Sequence, residues 1–302
     1  MKKYKKRNFI IILILSFLIK LKILKGKKKV NIFGFKLILD LDLPGISKAI
    51  FCEHYREIDH TNLFSEKLKN KNRILDLGAN IGYYALLEAS DSSNTSKILC
   101  IEPDQRNLSL LKENIKINKL QDRIEILSCA VSGEDGTVHI NTKGASNLTK
   151  IENNFINLND LEIVKSITLN TIYKKYGIFD CLRMDVEGAE SVIFSNNSDL
   201  FLKNMPKNSL IFIEVHPGKY INGDAAISGA LENIKNNGFY RFSFVTSGKF
   251  PSIEILKKLG KSNIIFKDGK FTRHYYSEVK FEDLKFFTLY RPKVLRYIIL
   301  EK

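Results

Sequence analysis

Two short stretches of the chain place acid–base groups two residues apart: Asp185 and Glu187 in RMDVEGAE, and Glu214 and His216 in LIFIEVHP. Each pair ends an apolar run, and alternate residues of an extended chain face the same side. If the two runs are neighbouring strands, all four groups converge at one edge of a sheet. His216 is then the natural general base, because its ordinary pKa of about 6.5 lies near working pH. Asp185 would position a reacting hydroxyl or an amine, and Glu187 would bind substrate. Simpler readings stand beside this one: Asp185 can cap the helix that begins near Glu187, and His216, just before Pro217, can be an ordinary turn residue. Clustered carboxylates also suit a hard divalent cation, but nothing in the spacing demands one, and the expectation is a site without metal.

Such a constellation needs strands to hold it. From Arg73 onward the chain alternates strand-like runs, RILDLG (73–78), KILCIE (97–102), IEILSCAV (124–131), FDCLRMDV (179–186) and LIFIEV (210–215), with helical stretches over 81–89, 104–118, 187–195 and 225–236. That pattern predicts an α/β fold with a mostly parallel sheet covered by helices on both faces. FYRFSFVT (239–246) and LKFFTLYR (284–291) read as further strands with no clear helix between them, an antiparallel hairpin at the sheet edge. Upstream, NIFGFKLILDLDL (31–43) reads as a strand or hairpin ending near Pro44, and the stretch from Gly45 to Asn70 as helical. Residues 141–170 are polar and Asn-rich, an insertion loop with short local structure. FTRHYY (271–276) is either packing or the wall of a sugar or aromatic site; packing is the commoner fate of such clusters.

The first strand-to-helix turn, RILDLGANIGYY, narrows the ligand. In an open α/β sheet, ligands sit at the carboxyl ends of the strands. A dinucleotide fingerprint needs a second glycine where the backbone approaches pyrophosphate; here the run is Gly78-Ala79-Asn80-Ile81-Gly82, so Asn80 stands in that place. Asp76 before it would repel phosphate yet suits an amino group. Glu102, ending the next strand twenty residues beyond Gly82, is placed to accept hydrogen bonds from a ribose diol. An amino acid at one end, a ribose at the other and no phosphate describe S-adenosylmethionine. The bland alternative is a glycine pair that only permits a tight turn and close helix packing.

With CLRMDVEGAESVIF (181–194) and LIFIEVHP (210–217), the chain resembles the FkbM-type family of S-adenosylmethionine-dependent methyltransferases over roughly residues 40–245. The resemblance implies a Rossmann-like, seven-stranded methyltransferase sheet and methyl transfer, usually to a hydroxyl oxygen. It places Asp76, Gly78, Asn80, Gly82 and Glu102 on the cofactor motifs, and Cys129 and Ala130 on the segment bordering the adenine. Two positions depart from the family pattern: Arg183 replaces the usual lysine before DVEG, and Asn170 stands where an aspartate is common.

Composition bounds the partners. Of the net charge of +15, residues 1–30 hold eleven Lys or Arg and no Asp or Glu, which leaves +4 for residues 31–302. The chain therefore divides into a basic, apolar N-terminal segment (1–30) and a nearly balanced methyltransferase domain (31–302), with residues 246–302 as edge strands and insertion. An evenly basic body would have pointed to nucleic acid; a methyltransferase acting on RNA through the basic tail remains the alternative, as does a non-catalytic, membrane-associated binding module. The favoured acceptor is a hydroxyl of a small molecule, sugar or glycan. The apolar run Phe9–Ile19 is short for a membrane span, carries lysines on both sides, and lacks a small-residue cleavage site. It reads either as a helix on an anionic membrane surface or as a cover for an apolar face of the body. Cys52, Cys100, Cys129 and Cys181 have no paired spacing and read as core residues. The expected location is cytoplasmic, with possible peripheral attachment to the membrane's cytoplasmic face.

Overall fold

The alternation of apolar runs and amphipathic stretches resolves, in a computed structural model, into one large sheet, one small sheet and an N-terminal hairpin. The structure describes residues 8–43, 45–142, 150–151, 161–194, 196–246, 259, 264–268, 271–289 and 295–302. Helix α1 (Phe9–Lys20) leads into the hairpin of β1 (Lys27–Ile32) and β2 (Phe35–Asp40). Its turn residues Phe33 and Gly34 both have positive φ, which matches the natural twist of two paired strands. Helices α2 (Ile46–Glu53) and α3 (Ile58–Leu68) follow, then β3 (Arg73–Leu77), α4 (Tyr83–Asp91), β4 (Lys97–Ile101), α5 (Gln105–Ile117) and β5 (Ile124–Leu127).

Strands β6 (Ala130–Val131), β7 (Gly136–Asn141), β8 (Lys150–Ile151) and β9 (Leu161–Ile167) form the small sheet, in the order β6-β9-β7-β8. The chain returns through α6 (Leu169–Tyr176), β10 (Cys181–Met184), α7 (Glu190–Ile193), α8 (Asp199–Asn204), β11 (Leu210–Glu214) and α9 (Ala226–Asn236). It ends with β12 (Arg241–Thr246), β13 (Ile264–Asp268), β14 (Phe271–Val279), α10 (Phe281–Leu289) and β15 (Leu295–Glu301).

The large sheet runs β13-β14-β12-β15-β11-β10-β3-β4-β5. Strands β11, β10, β3, β4 and β5 are mutually parallel, and β15 lies antiparallel between β11 and β12. From β3 the chain adds strands outward on one side, and from β10 on the other. The carboxyl ends of β3 and β10 therefore flank the point where the order reverses, where such sheets bind ligands. Side chains alternate between two cores: Leu75, Leu182 and Ile211 pack on one face, and Ile74, Cys181 and Phe212 on the other. All four cysteines are buried and free.

The α/β class and parallel sheet agree with the sequence reading, and four details differ. Among the described residues the sheet has nine strands rather than seven, because β13 and β14 extend it beyond β12; this pair, not residues 284–291, makes the edge hairpin. Residues 284–291 were expected as strand, but Phe281, Leu284, Phe287 and Thr288 are buried at helical spacing, and α10 covers 281–289. The helical stretch 45–70 breaks after Glu53, where His54 and Glu57 take positive φ. The run 124–131 splits: β5 stays in the large sheet, while β6 leaves it to pair with β9. Within 141–170, residues 143–149 and 152–160 lie outside the described residues; the rest contributes β8 and β9. In FTRHYY, Tyr275 and Tyr276 are buried, one in each core, so these two rings pack.

Candidate active site

The turn after β3 is built by backbone constraints. Gly78 has φ +77°, and a Cβ there would stand 1.9 Å from the carbonyl oxygen of Asp185. Only a bare backbone lets β3 and the chain leaving β10 approach this closely. Asn80, at φ +52°, donates its backbone N–H to Glu102 Oε2 at 2.9 Å. The Asp104 N–H (3.0 Å) and the Asn107 amide (3.2 Å) donate to Oε1 of the same carboxylate. Burial nevertheless pushes the Glu102 carboxyl up to about 7, against these hydrogen bonds.

A cleft opens over this turn. Of the residues expected at the cofactor, Gly78, Asn80, Glu102, Cys129 and Ala130 line it. Two do not, and their expected contacts are corrected. Asp76 is fully buried beneath the cleft, where its Oδ1 accepts a 2.8 Å hydrogen bond from Arg183. Gly82 serves packing: a Cβ would come 2.7 Å from Leu111 of α5.

Arg183 is central to the electrostatics. Its guanidinium reaches Asp76 and, at 3.3 Å, Asp185 Oδ2, and it lies 3.9 Å from the ring centre of Tyr84. Arg56, Tyr83 and Tyr84 also line the cleft and were not anticipated. Arg56 arrives through the break between α2 and α3, a change of direction that helical periodicity does not reveal, and Tyr83 and Tyr84 open α4.

Asp185, Glu187, Glu214 and His216 do converge. His216 Nε2 lies 3.6 Å from Asp185 Oδ1, 3.5 Å from Glu187 Oε1 and 3.7 Å from Glu214 Oε1. A fifth member was missed: Glu190, fully buried at the start of α7, holds His216 Nδ1 at 2.6 Å. The signal was present in DVEGAE, but a short helix entering sideways decides where Glu190 points. Burial alone would lower the imidazole pKa. The Glu190 hydrogen bond and charge, with Asp185 and Glu214, outweigh it and raise His216 to about 9. The sequence reading of a base near its ordinary pKa is thereby corrected: the carboxylates of this cluster hold the His216 imidazole above its ordinary range. Glu214 is pushed up to about 8 by burial and by its acidic neighbours, against Arg296 and His216. Arg296 of β15 pairs with both Glu214 and Glu57, and Lys219 pairs with Glu187.

The groups of the cleft fit S-adenosylmethionine. Glu102, the β3 turn and Asp185 end successive strands, so the two carboxylates stand roughly 10 Å apart on either side of the turn at Gly78. Cys129 and Ala130 offer a small apolar wall to a flat ring. Arg56 supplies a cation beside the cleft for a carboxylate, and Asp185 an anion for an amine.

A sheet ordered in this way, with that cleft at its switch point, defines a Rossmann-like, class I methyltransferase fold. The FkbM methyltransferase domain profile matches residues 76–241, and the chain belongs to that family, whose methyl donor is S-adenosylmethionine. Curated protein sequences return no significant match. Among solved structures, methyltransferase FkbM from Methylobacillus flagellatus KT is 16% identical with a TM-score of 0.36; the match covers 48% of this chain but only 33% of that one. M. jannaschii TYW2, solved with AdoMet, is 15% identical over 92% of this chain and 88% of its own, with a TM-score of 0.43. Aeropyrum pernix fibrillarin, solved with S-adenosyl-L-methionine, is 12% identical over 83% and 82%, with a TM-score of 0.38.

Proposed function

We propose that the chain is an oxygen methyltransferase acting on a hydroxyl of a small molecule, sugar or glycan. The observation behind this reading is the cluster of three carboxylates around His216, set beside the Asp185 end of the cleft. S-adenosylmethionine supplies an electrophilic methyl group on a sulfonium. The acceptor oxygen forms its new bond to carbon as the carbon–sulfur bond breaks, with that electron pair staying on sulfur and the hydroxyl proton leaving. The protein has to hold the hydroxyl in line and receive the proton. Asp185, which lines the cleft and is anchored by Arg183, orients the hydroxyl. Glu187, also in the cleft, binds the acceptor and takes its proton. His216, held through Nδ1 by Glu190, organises the carboxylates around it.

The near-neutral body argues against a nucleic-acid substrate. The decisive experiment is a labelled-methyl screen of glycans, lipids, hydroxylated metabolites and RNA, comparing wild type with Asp185→Asn. Label on an oxygen, lost in the variant, supports the reading; label only on RNA overturns it.

We further infer attachment to an anionic membrane surface through the N-terminus. One side of α1, at Ile12, Leu15, Leu18 and Ile19, is half-buried, while Phe9, Ile10, Leu13, Ile14 and Phe17 are exposed among flanking lysines. Among the described residues, no helix is long and apolar enough to cross a membrane. A helix lying in the interface needs only such an apolar face and basic neighbours.

A further inference from the structure

The contacts of His216 Nε2 do not look like those of a satisfied imidazolium. The ring is 7% exposed, yet among the described residues Nε2 settles on no single acceptor; its neighbours are three carboxylate oxygens, all at 3.5–3.7 Å. A lone N–H donor would settle on one oxygen near 2.8 Å. Equal, longer distances to several oxygens are the spacing of ligands that share an ion: bonds of about 2.1 Å leave neighbouring donor atoms roughly 3–3.5 Å apart.

The surroundings reinforce this. Asp185 is gripped by Arg183 through Oδ2 and Glu187 by Lys219 through Oε2, leaving Oδ1 and Oε1 to face Nε2. Glu214 is 3% exposed; Arg296 holds its Oε1, and its Oε2 has no partner among the described residues. Donor atoms of Asp185, Glu214 and His216 all lie within 4.8 Å of one another. Nδ1 is bound by the buried Glu190, and a carboxylate on the far ring nitrogen is the usual support of a metal-ligating histidine.

We propose that Asp185, Glu214 and His216, joined by Glu187, bind one divalent ion of the Mn(II) class at the acceptor end of the cleft. Mixed imidazole and carboxylate donors favour such an ion over calcium, which prefers all-oxygen shells. Four protein ligands leave positions open in a six-coordinate shell, where an acceptor hydroxyl binds and becomes more acidic. The proton of that hydroxyl is then easier to remove. This role in transfer rests on the methyltransferase reading above; the ion site itself does not.

The test is titration of the full chain with Mn2+, followed by the loss of the free-ion signal in electron paramagnetic resonance. S-adenosylmethionine binding is measured in parallel by calorimetry. The expected result is one Mn2+ per chain. Glu190→Gln should weaken binding by about 10–100-fold, and His216→Gln and Glu214→Gln by at least as much, with unchanged melting curves verifying the fold. Binding of Mn2+ by a chain that ignores S-adenosylmethionine would uphold the ion site and remove the methyl-transfer reading. A chain that binds S-adenosylmethionine but leaves millimolar Mn2+ free would overturn the ion site alone. So would a folded His216→Gln variant that binds Mn2+ as tightly as wild type.

Discussion

Arg183 and Asp76 face each other across β10 and β3, with Nη1 2.8 Å from Oδ1 and both side chains out of solvent. The same guanidinium reaches Asp185, so one cation ties the floor of the cofactor turn to the acceptor side. Removing it strands two carboxylates. Arg183→Met should cost on the order of 3–5 kcal/mol in urea unfolding, the usual penalty for breaking a buried pair. Arg183→Lys keeps the charge but not the fork that spans two acids, and should cost less. Equal stability of wild type and the Met variant would show that the pair has no structural role.

The close approach at Gly78 sets a second expectation. Gly78→Ala combines positive φ with a Cβ 1.9 Å from the Asp185 carbonyl. Gly34→Ala shares the positive φ (+85°) but meets nothing within 4 Å. The Gly34 variant should lose only the conformational cost, about 1–2 kcal/mol. The Gly78 variant should lose clearly more, together with cofactor affinity. Matching losses in the two melts would assign the whole effect to φ.

Cofactor affinity should depend on pH through Glu102. Its carboxyl is held up at about 7, with burial the largest cause, and the ionised form is the one that accepts two ribose hydroxyls. Below that pKa, binding must first expel a proton. Affinity for S-adenosylmethionine should therefore rise roughly tenfold per pH unit up to about pH 7 and level off above it. Calorimetry across this range should show the slope in wild type and none in Glu102→Gln. A flat wild-type profile would remove the ribose role.

Vesicle sedimentation checks the N-terminal helix. The full chain should pellet with phosphatidylglycerol-containing vesicles and not with purely zwitterionic ones, and added salt should weaken the association. Ile14→Asp and Phe17→Asp, on the exposed side of α1, should release it. Pelleting unchanged in both variants would rule out an interfacial helix.

The sheet was legible because its strands are almost wholly apolar and its helices punctual. The turn at Gly78 and the pairs Asp185/Glu187 and Glu214/His216 were legible because period two fixes which side chains share a face. What stayed hidden arrives by tertiary routes. Arg56 and Glu57 enter through a break in an otherwise helical stretch, and Arg296 from a strand 239 residues beyond Glu57 in sequence. Asp76 looked like a ligand because its position in the motif says nothing of Arg183 opposite. The environment of His216 depends on Glu190, whose direction is set by packing. Residues 284–291 are the plain misreading: as far as Leu289 they belong to a helix whose apolar positions repeat every three to four, and an aromatic-rich composition hid that period.

The position of β15 bears on how the protein is made. It is inserted between β11 and β12, yet every other strand of that sheet leaves the ribosome before it. Until it arrives, β11 and β12 expose two open edges that cannot satisfy one another, a state prone to wrong pairing. Glu57 and Glu214 also wait for their shared cation, since Arg296 travels on the same strand. A nascent chain stalled before residue 295 would thus be both adhesive and inert, and completing the sheet completes the charge balance of the site in the same event.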